Sequence, residues 1–192
     1  MTVSPLRTPL AWALGALVVA AIAVPVALGC VIPRDLEKQL QLAGDDIVVG
    51  TIEKLEEVWA TDSAGDEALW TLVDFRIEEA WRSGKTKGLV RFYFRGGVTP
   101  GAERATITPS SDDMQVGQRL LVFLAEREFG QRTFGEGIYQ LDSYAECYRV
   151  ATIQSRRGNR ELVQGKGEGF AFENNVTLGD ARAQVRRLLE KR

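Results

Sequence analysis

The longest apolar segment of the chain lies near its beginning, from residue 10 to residue 28. A single basic residue, Arg7, precedes this segment, and polar sequence follows it. This layout is typical of an export signal or a membrane anchor, so we predict one of these roles for residues 1–29. The run is longer than the ~7–15 apolar residues of a usual signal-peptide core and close to the ~20 that span a bilayer. Cleavage and retention therefore both stay open.

The residues that end this segment bear on the choice. Small residues at Ala27 and Gly29 favour cleavage just before Cys30. The tetrapeptide that ends at Cys30 also resembles the lipobox of bacterial lipoproteins, in which the cysteine carries lipid as the first mature residue. Each alternative predicts an exported protein of the cell envelope, either membrane-anchored or extracellular. The membrane is thus an expected partner, through the N-terminal helix or through a lipid.

Beyond the apolar segment the pattern predicts one short helix and then strands. Apolar residues recur at helical spacing over residues 33–42, and Gly44 follows as a stop signal. Alternation over residues 70–81 predicts that Val73, Phe75 and Trp81 share one face of a strand. The predicted strands are residues 47–52, 70–81, 89–95, 120–125, 137–144, 148–153 and 161–164.

A long connection separates the third and fourth predicted strands. Residues 96–118 are rich in Gly, Pro, Ser, Thr and Asp, and connections of this length are uncommon in compact domains unless they function. We expect a surface loop that takes part in recognition. Cys30, Arg95, Gly96 and Gly97 form a candidate binding rim.

The chain closes with a predicted amphipathic helix. Thr177 followed by Asp180 three residues later is a capping pattern. Arg182, Arg186 and Arg187 lie on the other face, near the negative end of the helix dipole, and we interpret them as compensating that dipole. The apolar stripe consists of Leu178, Ala181, Val185, Leu188 and Leu189.

These elements predict a mainly β fold. Strands with helices only at the two ends, and no repeated βαβ order, favour an OB-like antiparallel barrel of five to six strands. Gly50, inside the first strand, predicts a bulge or bend that lets the strand coil. We divide the chain into a signal or anchor (1–29), a barrel (30–155) and a C-terminal hairpin or turn with a helix packing on the barrel (156–192).

The composition argues against most enzyme classes. The chain has no histidine, which excludes the Ser-His-Asp triad, the Cys-His dyad and zinc-protease motifs. We predict no catalytic residue, no metal site and no cofactor. Paired acids such as Asp45-Asp46 and Glu78-Glu79 keep a carboxylate-dependent hydrolase as a less favoured alternative.

Charge gives a weak indication of partners. Residues 1–29 contain one basic residue and no acid, so the rest of the chain carries a net charge of −3. A nucleic-acid partner would require a basic face, and the only basic cluster is that of the C-terminal helix. We therefore predict no nucleic-acid partner.

The chain has two cysteines, Cys30 and Cys147. In an oxidising compartment they are candidates for a disulfide. If Cys30 is removed, lipidated or held in the membrane, Cys147 is instead a lone thiol. Both alternatives stay open.

The order of these features resembles the barrel domain of tissue inhibitors of metalloproteinases and their bacterial relatives. The resemblance rests on Cys30 before a short helix, on the strand sequences at residues 75–81 and 90–92, on residues 116–123 and on Cys147. It covers roughly residues 30–150 and implies an OB-fold barrel.

The resemblance also implies a function. In that family the amino group and carbonyl of the first residue bind the catalytic zinc of a protease, a role that only Cys30 matches. The chain departs from the family at Ile32, which stands where the second cysteine is expected. We expect an exported, membrane-tethered binding module without turnover, with an inhibitor-like role toward another exported protein such as a protease. A structural lipoprotein of the cell envelope is the alternative.

Overall fold

Alternating apolar and polar residues form strands over most of the chain that the computed structural model describes. The described residues are 35–82, 88–99, 101–102, 109, 114–156, 158–165, 171–173 and 175–191. The predicted signal or anchor and Cys30 lie outside these ranges. No helix of the described residues has the length and apolarity needed to cross a membrane.

Three α-helices and eight strands make up the described part of the chain. The α-helices are α1 (Leu36–Leu42), α2 (Glu128–Phe134) and α3 (Leu178–Leu189), and a 3-10 turn covers Tyr144–Glu146. The strands are β1 (Asp46–Thr61), β2 (Glu67–Arg82), β3 (Gly88–Arg95), β4 (Arg119–Glu126), β5 (Ile138–Gln140), β6 (Cys147–Ser155), β7 (Gly158–Gln164) and β8 (Val176–Thr177).

Five of the strands form a closed ring. β1 pairs with β2 and β4, β3 pairs with β2 and β5, and β5 pairs with β4. Every pair in the ring is antiparallel except β3 with β5, which is parallel. A ring with an odd number of strands cannot alternate direction throughout, so one parallel pair is unavoidable. The predicted mainly β fold with a C-terminal helix is confirmed, and the prediction of a wholly antiparallel barrel is wrong at this pair.

Gly50 allows β1 to bend around the ring. The register between β1 and β2 shifts between Val49 and Gly50. A Cβ atom on Gly50 would lie 2.1 Å from the carbonyl oxygen of Arg76 and 2.7 Å from Cε1 of Phe75. Only glycine permits such a close approach of the two strands, which confirms the predicted bulge.

Strands β1 and β4 separate two hydrophobic clusters because both faces of each strand are buried. The interior of the ring contains Val48 and Ile52 of β1 with Leu120 and Val122 of β4. Their outward neighbours belong to an outer cluster, which α1 and α3 cover. Its buried members include Leu40, Ile47, Val49, Leu121, Phe123, Tyr148, Val163, Ala181 and Val185.

A third cluster packs the far half of the β1–β2 hairpin. Trp70 lies with its ring centroid 4.9 Å from that of Phe129 and 6.0 Å from that of Phe134, both on α2. Tyr93 of β3 completes the cluster. The hairpin therefore continues beyond the ring with one face covered.

Several elements differ from the sequence predictions. Strand β1 continues to Thr61, well beyond the predicted 47–52, and β8 was not predicted. Helix α1 begins at Leu36 because the Asp35 carboxylate accepts the N–H of Glu37 at 2.9 Å and caps it. Helix α2 was not predicted, and β5 is shorter than the predicted 137–144 because the 3-10 turn follows it. Trp81 packs against the outer cluster, and not with Val73 and Phe75 in the ring interior.

The sheet continues from β4 through β6, β7 and β8. Helix α3 follows β8 directly, and Thr177 Oγ1 accepts the N–H of Asp180 at 3.1 Å, which confirms the predicted cap. The β6–β7 hairpin joins the two segments 30–155 and 156–192. Ile32–Arg192 forms one compact unit.

Candidate binding groove

The β6–β7 hairpin extends past its neighbour in the sheet. β6 pairs with β4 only from Cys147 to Arg149, whereas it pairs with β7 from Arg149 to Ser155. Val150 and Val163 anchor the near half of the hairpin in the outer cluster. The far half is exposed from Thr152 onward.

A groove of about 640 Å³ lies between this far half and the beginning of α3. The hairpin supplies one wall and the first turn of α3 the other. The lining includes Thr152, Asn159, Arg160, Leu178, Gly179 and Arg182. Side chains from three separate elements thus meet at one concave surface.

Two arginines of the groove differ in their contacts. Arg182 donates to Glu79 Oε2 at 2.5 Å, and its guanidinium lies 5.9 Å from the ring centroid of Trp81. The Nε of Arg182 and the Nε1 of Trp81 are buried without an acceptor among the described residues. Arg160 is exposed and forms no ion pair within the described part of the chain. It is the cation that the groove offers to a ligand.

Arg119 fixes the hairpin to the ring beneath the groove. Its guanidinium pairs with Glu78 of β2 at 2.6 Å and with Glu161 of β7. Burial alone would lower the pKa of Arg119, but the two carboxylates outweigh it and hold that pKa above its ordinary value. Glu161 also lines the groove, and its side chain stays 41% exposed although it pairs with Arg119. Arg160 is the neighbouring charged group of the groove without an ion-pair partner among the described residues.

The residues named as a binding rim hold the start of the 96–118 connection against the β1–β2 hairpin. Arg95 pairs with Asp62 at 3.1 Å and lies 6.0 Å from the ring centroid of Trp70. Gly96 donates its N–H to the Leu69 carbonyl at 2.7 Å. Gly97 is buried. The structure brings these three together, while Cys30 lies outside the described residues.

Glu57 holds the next two residues of this connection. Its Oε1 accepts the N–H groups of Val98 and Thr99 at 2.7 and 2.6 Å. Burial raises the pKa of Glu57, and the hydrogen bonds from Thr99 and Val98 outweigh this effect, so the net pKa lies below the ordinary value. No local pattern predicts this contact, because its partners are about forty residues apart.

Cys147 is buried at the start of β6 and belongs to the cluster inside the ring. Because Cys30 lies outside the described residues, the Cys30–Cys147 disulfide stays a prediction. The side chain of Cys147 packs among the apolar residues of that cluster. It forms part of the apolar interior below the base of the hairpin.

A buried acidic group lies at the same base. Glu146 is 8% exposed, and its Oε2 accepts the N–H groups of Asp142 and Ser143 at 2.7 and 3.2 Å. Arg127 pairs with Asp142 at 2.7 Å and donates to the Leu42 carbonyl at 2.9 Å. Burial, with the Asp142 carboxylate nearby, raises the pKa of Glu146 to about 8. The described residues contain no cluster of ligands suited to a metal ion.

The paired acids noted in the sequence mostly contact cations or backbone N–H groups. Glu78 pairs with Arg119 and Glu79 with Arg182, as described above. Asp45 accepts the N–H of Glu126 at 3.1 Å. These contacts give the three carboxylates a structural role in joining neighbouring elements.

Comparison with protein-family models gave no match, and a search of curated proteins found no similar sequence. Function is therefore inferred from the groove, the ring of strands and the N-terminal sequence. The groove was missed in the sequence because it joins β6, β7 and α3 across a polar stretch. One feature of the sequence does mark this region, because the uncharged residues 150–155 lie between Arg149 and Arg156.

Proposed function

We propose that this protein is an exported, membrane-tethered binding module with an OB-like barrel that acts without catalytic turnover. The observation that carries the proposal is the groove between the β6–β7 hairpin and α3, with Arg160 exposed at its edge. A concave surface with a few convergent polar groups is the usual form of a binding site. Among the described residues, the one acid with a strongly raised pKa is Glu146, which is buried and does not line the groove.

The strand order supports the OB-like part of the proposal. The ring runs β1-β2-β3-β5-β4 and returns to β1, with β3 and β5 parallel. OB folds are five-stranded Greek-key barrels that serve as binding modules for varied ligands. Fold alone does not define a ligand, so the groove carries the functional argument.

The N-terminal sequence supports export and tethering. The apolar segment of residues 10–28 lies just before Cys30. The alternatives at this point are cleavage, lipid attachment to Cys30 or retention of the helix. Mass analysis of the intact protein from native membrane and soluble fractions distinguishes them. A lipid on Cys30 or an uncut Met1 start gives the tethered form.

The inhibitor-like role is a narrower version of the same proposal. It requires an unmodified amino group at Cys30, because an α-amino group can donate its lone pair to zinc when neutral. A free Cys30 start with inhibition of a zinc protease would support it. A lipid on Cys30 would exclude it and leave the groove as the binding site.

Site-specific photo-crosslinking in the native envelope tests the binding function. A photoreactive residue in place of Asn159 lies in the groove, and one in place of Ala183 lies on the exposed side of α3 as a control. We expect a defined crosslinked partner from position 159 and none from position 183. Equal crosslinking at both positions, or hydrolytic turnover that Glu146→Gln abolishes, would contradict the proposal.

A further inference from the structure

The far half of β6 has one edge without a strand partner. Residues Ala151–Gln154 pair with β7 on one side, and pairing with β4 on the other side ends at Arg149. No strand of the described residues covers this second edge. Its backbone N–H and C=O groups form a template on which another extended chain can pair.

β1 has a comparable edge, and it is protected. β1 pairs with β4 only as far as Thr51, so residues 53–61 also pair on one side only. Glu53, Lys54 and Glu56 place charges along that edge. Such charges are a common device against pairing with other chains. Between Arg149 and Arg156, β6 has no charged residue.

The surroundings of the β6 edge are basic. Arg149 and Arg156 lie at its two ends, and Arg160 is the cross-strand partner of Ile153. None of these three forms an ion pair within the described residues. The nearby acid is Glu161, the cross-strand partner of Thr152, and it pairs with Arg119. An acidic partner would therefore meet three guanidinium groups that no carboxylate of the described residues already neutralises.

The same charges disfavour a second copy of this chain as the partner. In the antiparallel register that pairs residues 150–155 with themselves, Arg149 of one copy would lie opposite Arg156 of the other. Like charges directly opposite each other destabilise a pair of strands. The arrangement thus selects for carboxylates at both ends of the added strand.

Ile153 supplies an apolar contact at the centre of this edge. Its side chain is 45% exposed, although isoleucine is usually buried. A β-branched or aromatic residue on an added strand would cover it. The centre of the ligand is therefore expected to be apolar and its ends acidic.

We propose that the free edge of β6 binds an extended, acidic-ended peptide segment of another exported protein by β-strand addition. This inference rests on the proposed binding function and names the class of partner. Main-chain hydrogen bonds would provide affinity, and the arginines with Ile153 would provide selectivity.

The test measures binding of a labelled peptide to the full chain by fluorescence anisotropy. The acidic probe is Glu-Val-Thr-Val-Thr-Val-Thr-Glu, whose eight residues match positions 149–156, and the matched basic probe replaces both glutamates with lysine. We expect the acidic probe to bind about tenfold more tightly, and more weakly as salt is added. Equal affinity for the two probes would overturn the charge argument.

Backbone methylation of the probe tests strand addition without altering the protein. In an extended peptide, the N–H groups of odd and even residues point to opposite edges. One further probe carries N-methyl groups on its odd residues and the other on its even residues. Because only one peptide edge pairs with β6, we expect one methylated probe to lose binding and the other to keep it. If both bind like the unmodified probe, strand addition is excluded.

Protein variants locate the site. Arg156→Glu and Arg160→Glu should each weaken the acidic probe about fivefold and improve the basic one. Arg187→Glu makes the same charge change on the exposed face of α3 and should leave binding unchanged. Circular dichroism of each variant checks its folding, and the methylated probes provide a result that needs no variant.

Two outcomes separate this inference from the proposed function. A crosslinked partner at position 159 whose binding is insensitive to Arg156→Glu and Arg160→Glu would keep the binding function and remove the edge. Analytical ultracentrifugation tests the second copy. A dimer that Ile153→Lys disrupts would assign the edge to self-association and overturn the peptide proposal. Absence of any crosslinked partner would instead count against the binding function itself.

Discussion

The two long hairpins of the protein differ in what covers them beyond the ring. The far half of the β1–β2 hairpin packs Trp70 against α2 and holds residues 98–99 through Glu57. The far half of the β6–β7 hairpin has an exposed tip, a free edge and a groove. The same type of element is thus packed against its surroundings in one hairpin and left bare in the other.

The largest effect should come from uncovering the first hairpin. Trp70 is 6% exposed and contacts three aromatic rings, so Trp70→Ala should lower the free energy of unfolding by about 4 kcal/mol. Urea denaturation measures the loss. Trp59 of the same hairpin is 59% exposed, and Trp59→Ala should cost less than about 1 kcal/mol. Similar losses in the two variants would show that α2 does not stabilise the hairpin.

The base of the second hairpin should make stability depend on pH. The pKa of Glu146 is about 8 in the folded protein and 4.5 in its unperturbed form. The folded state therefore keeps a proton that the unfolded state releases in this window, so the contribution of Glu146 to stability falls as pH rises from 4.5 toward 8. We expect a loss on the order of 3 kcal/mol between pH 5 and pH 8.

Glu146→Gln should remove most of this dependence. Glutamine keeps an oxygen that can accept the N–H groups of Asp142 and Ser143 without carrying a charge. The chain has no histidine, so few other side chains titrate in the same window. Urea midpoints of the variant that fall as steeply with pH as those of the unaltered protein would assign the effect to another group.

A smaller effect should follow from releasing residues 98–99. Glu57→Ala removes two hydrogen bonds to a carboxylate and should cost roughly 1–2 kcal/mol at pH 7. Because the pKa of Glu57 is lowered by folding, this cost should shrink as pH falls below 4.5. Glu56→Ala, the neighbouring control, breaks only a solvent-screened surface pair with Lys54 and should cost much less than Glu57→Ala. Equal costs would argue against anchoring by Glu57.

The smallest effect should come from the tip of the second hairpin. Ile153→Thr keeps a β-branched residue at an exposed position, so the free energy of unfolding should change by less than about 0.5 kcal/mol. Val163 of the same hairpin is fully buried, and Val163→Thr should cost about 1–3 kcal/mol. Thermal unfolding of both variants tests the contrast. A large loss at Ile153 would mean that the tip is packed against something in solution.

Local pattern was enough to predict most of the ring. Alternation and turn residues indicated β2 through β4 and the β-branched run at 47–52 indicated the first part of β1, whereas its continuation to Thr61 was not predicted. Gly50 indicated the bend, and Thr177 indicated the start of α3. Each of these signals lies within a few residues of the feature that it predicts. Helix α2 lacks such a signal, because Gly130 and Thr133 are poor helix formers and its aromatic residues pack on a distant hairpin.

The candidate groove shows the same limit. The paired strands at residues 148–153 and 161–164 were predicted, and the β6–β7 hairpin confirms them. Their position beside α3 depends on Arg119, which pairs with Glu161, and on Arg182, which pairs with Glu79. Such pairs join residues far apart in sequence, and a single sequence carries no pattern that selects them.

The parallel pair in the ring has a consequence for the order of folding. β3 and β5 pair over only three residues, from Arg91 with Ile138 to Tyr93 with Gln140. They cannot meet until β4 and α2 have brought the chain back, so closing this seam carries the entropy cost of a long loop. We expect the seam to form late and to open first, with β5 amides exchanging hydrogen sooner than those of β4.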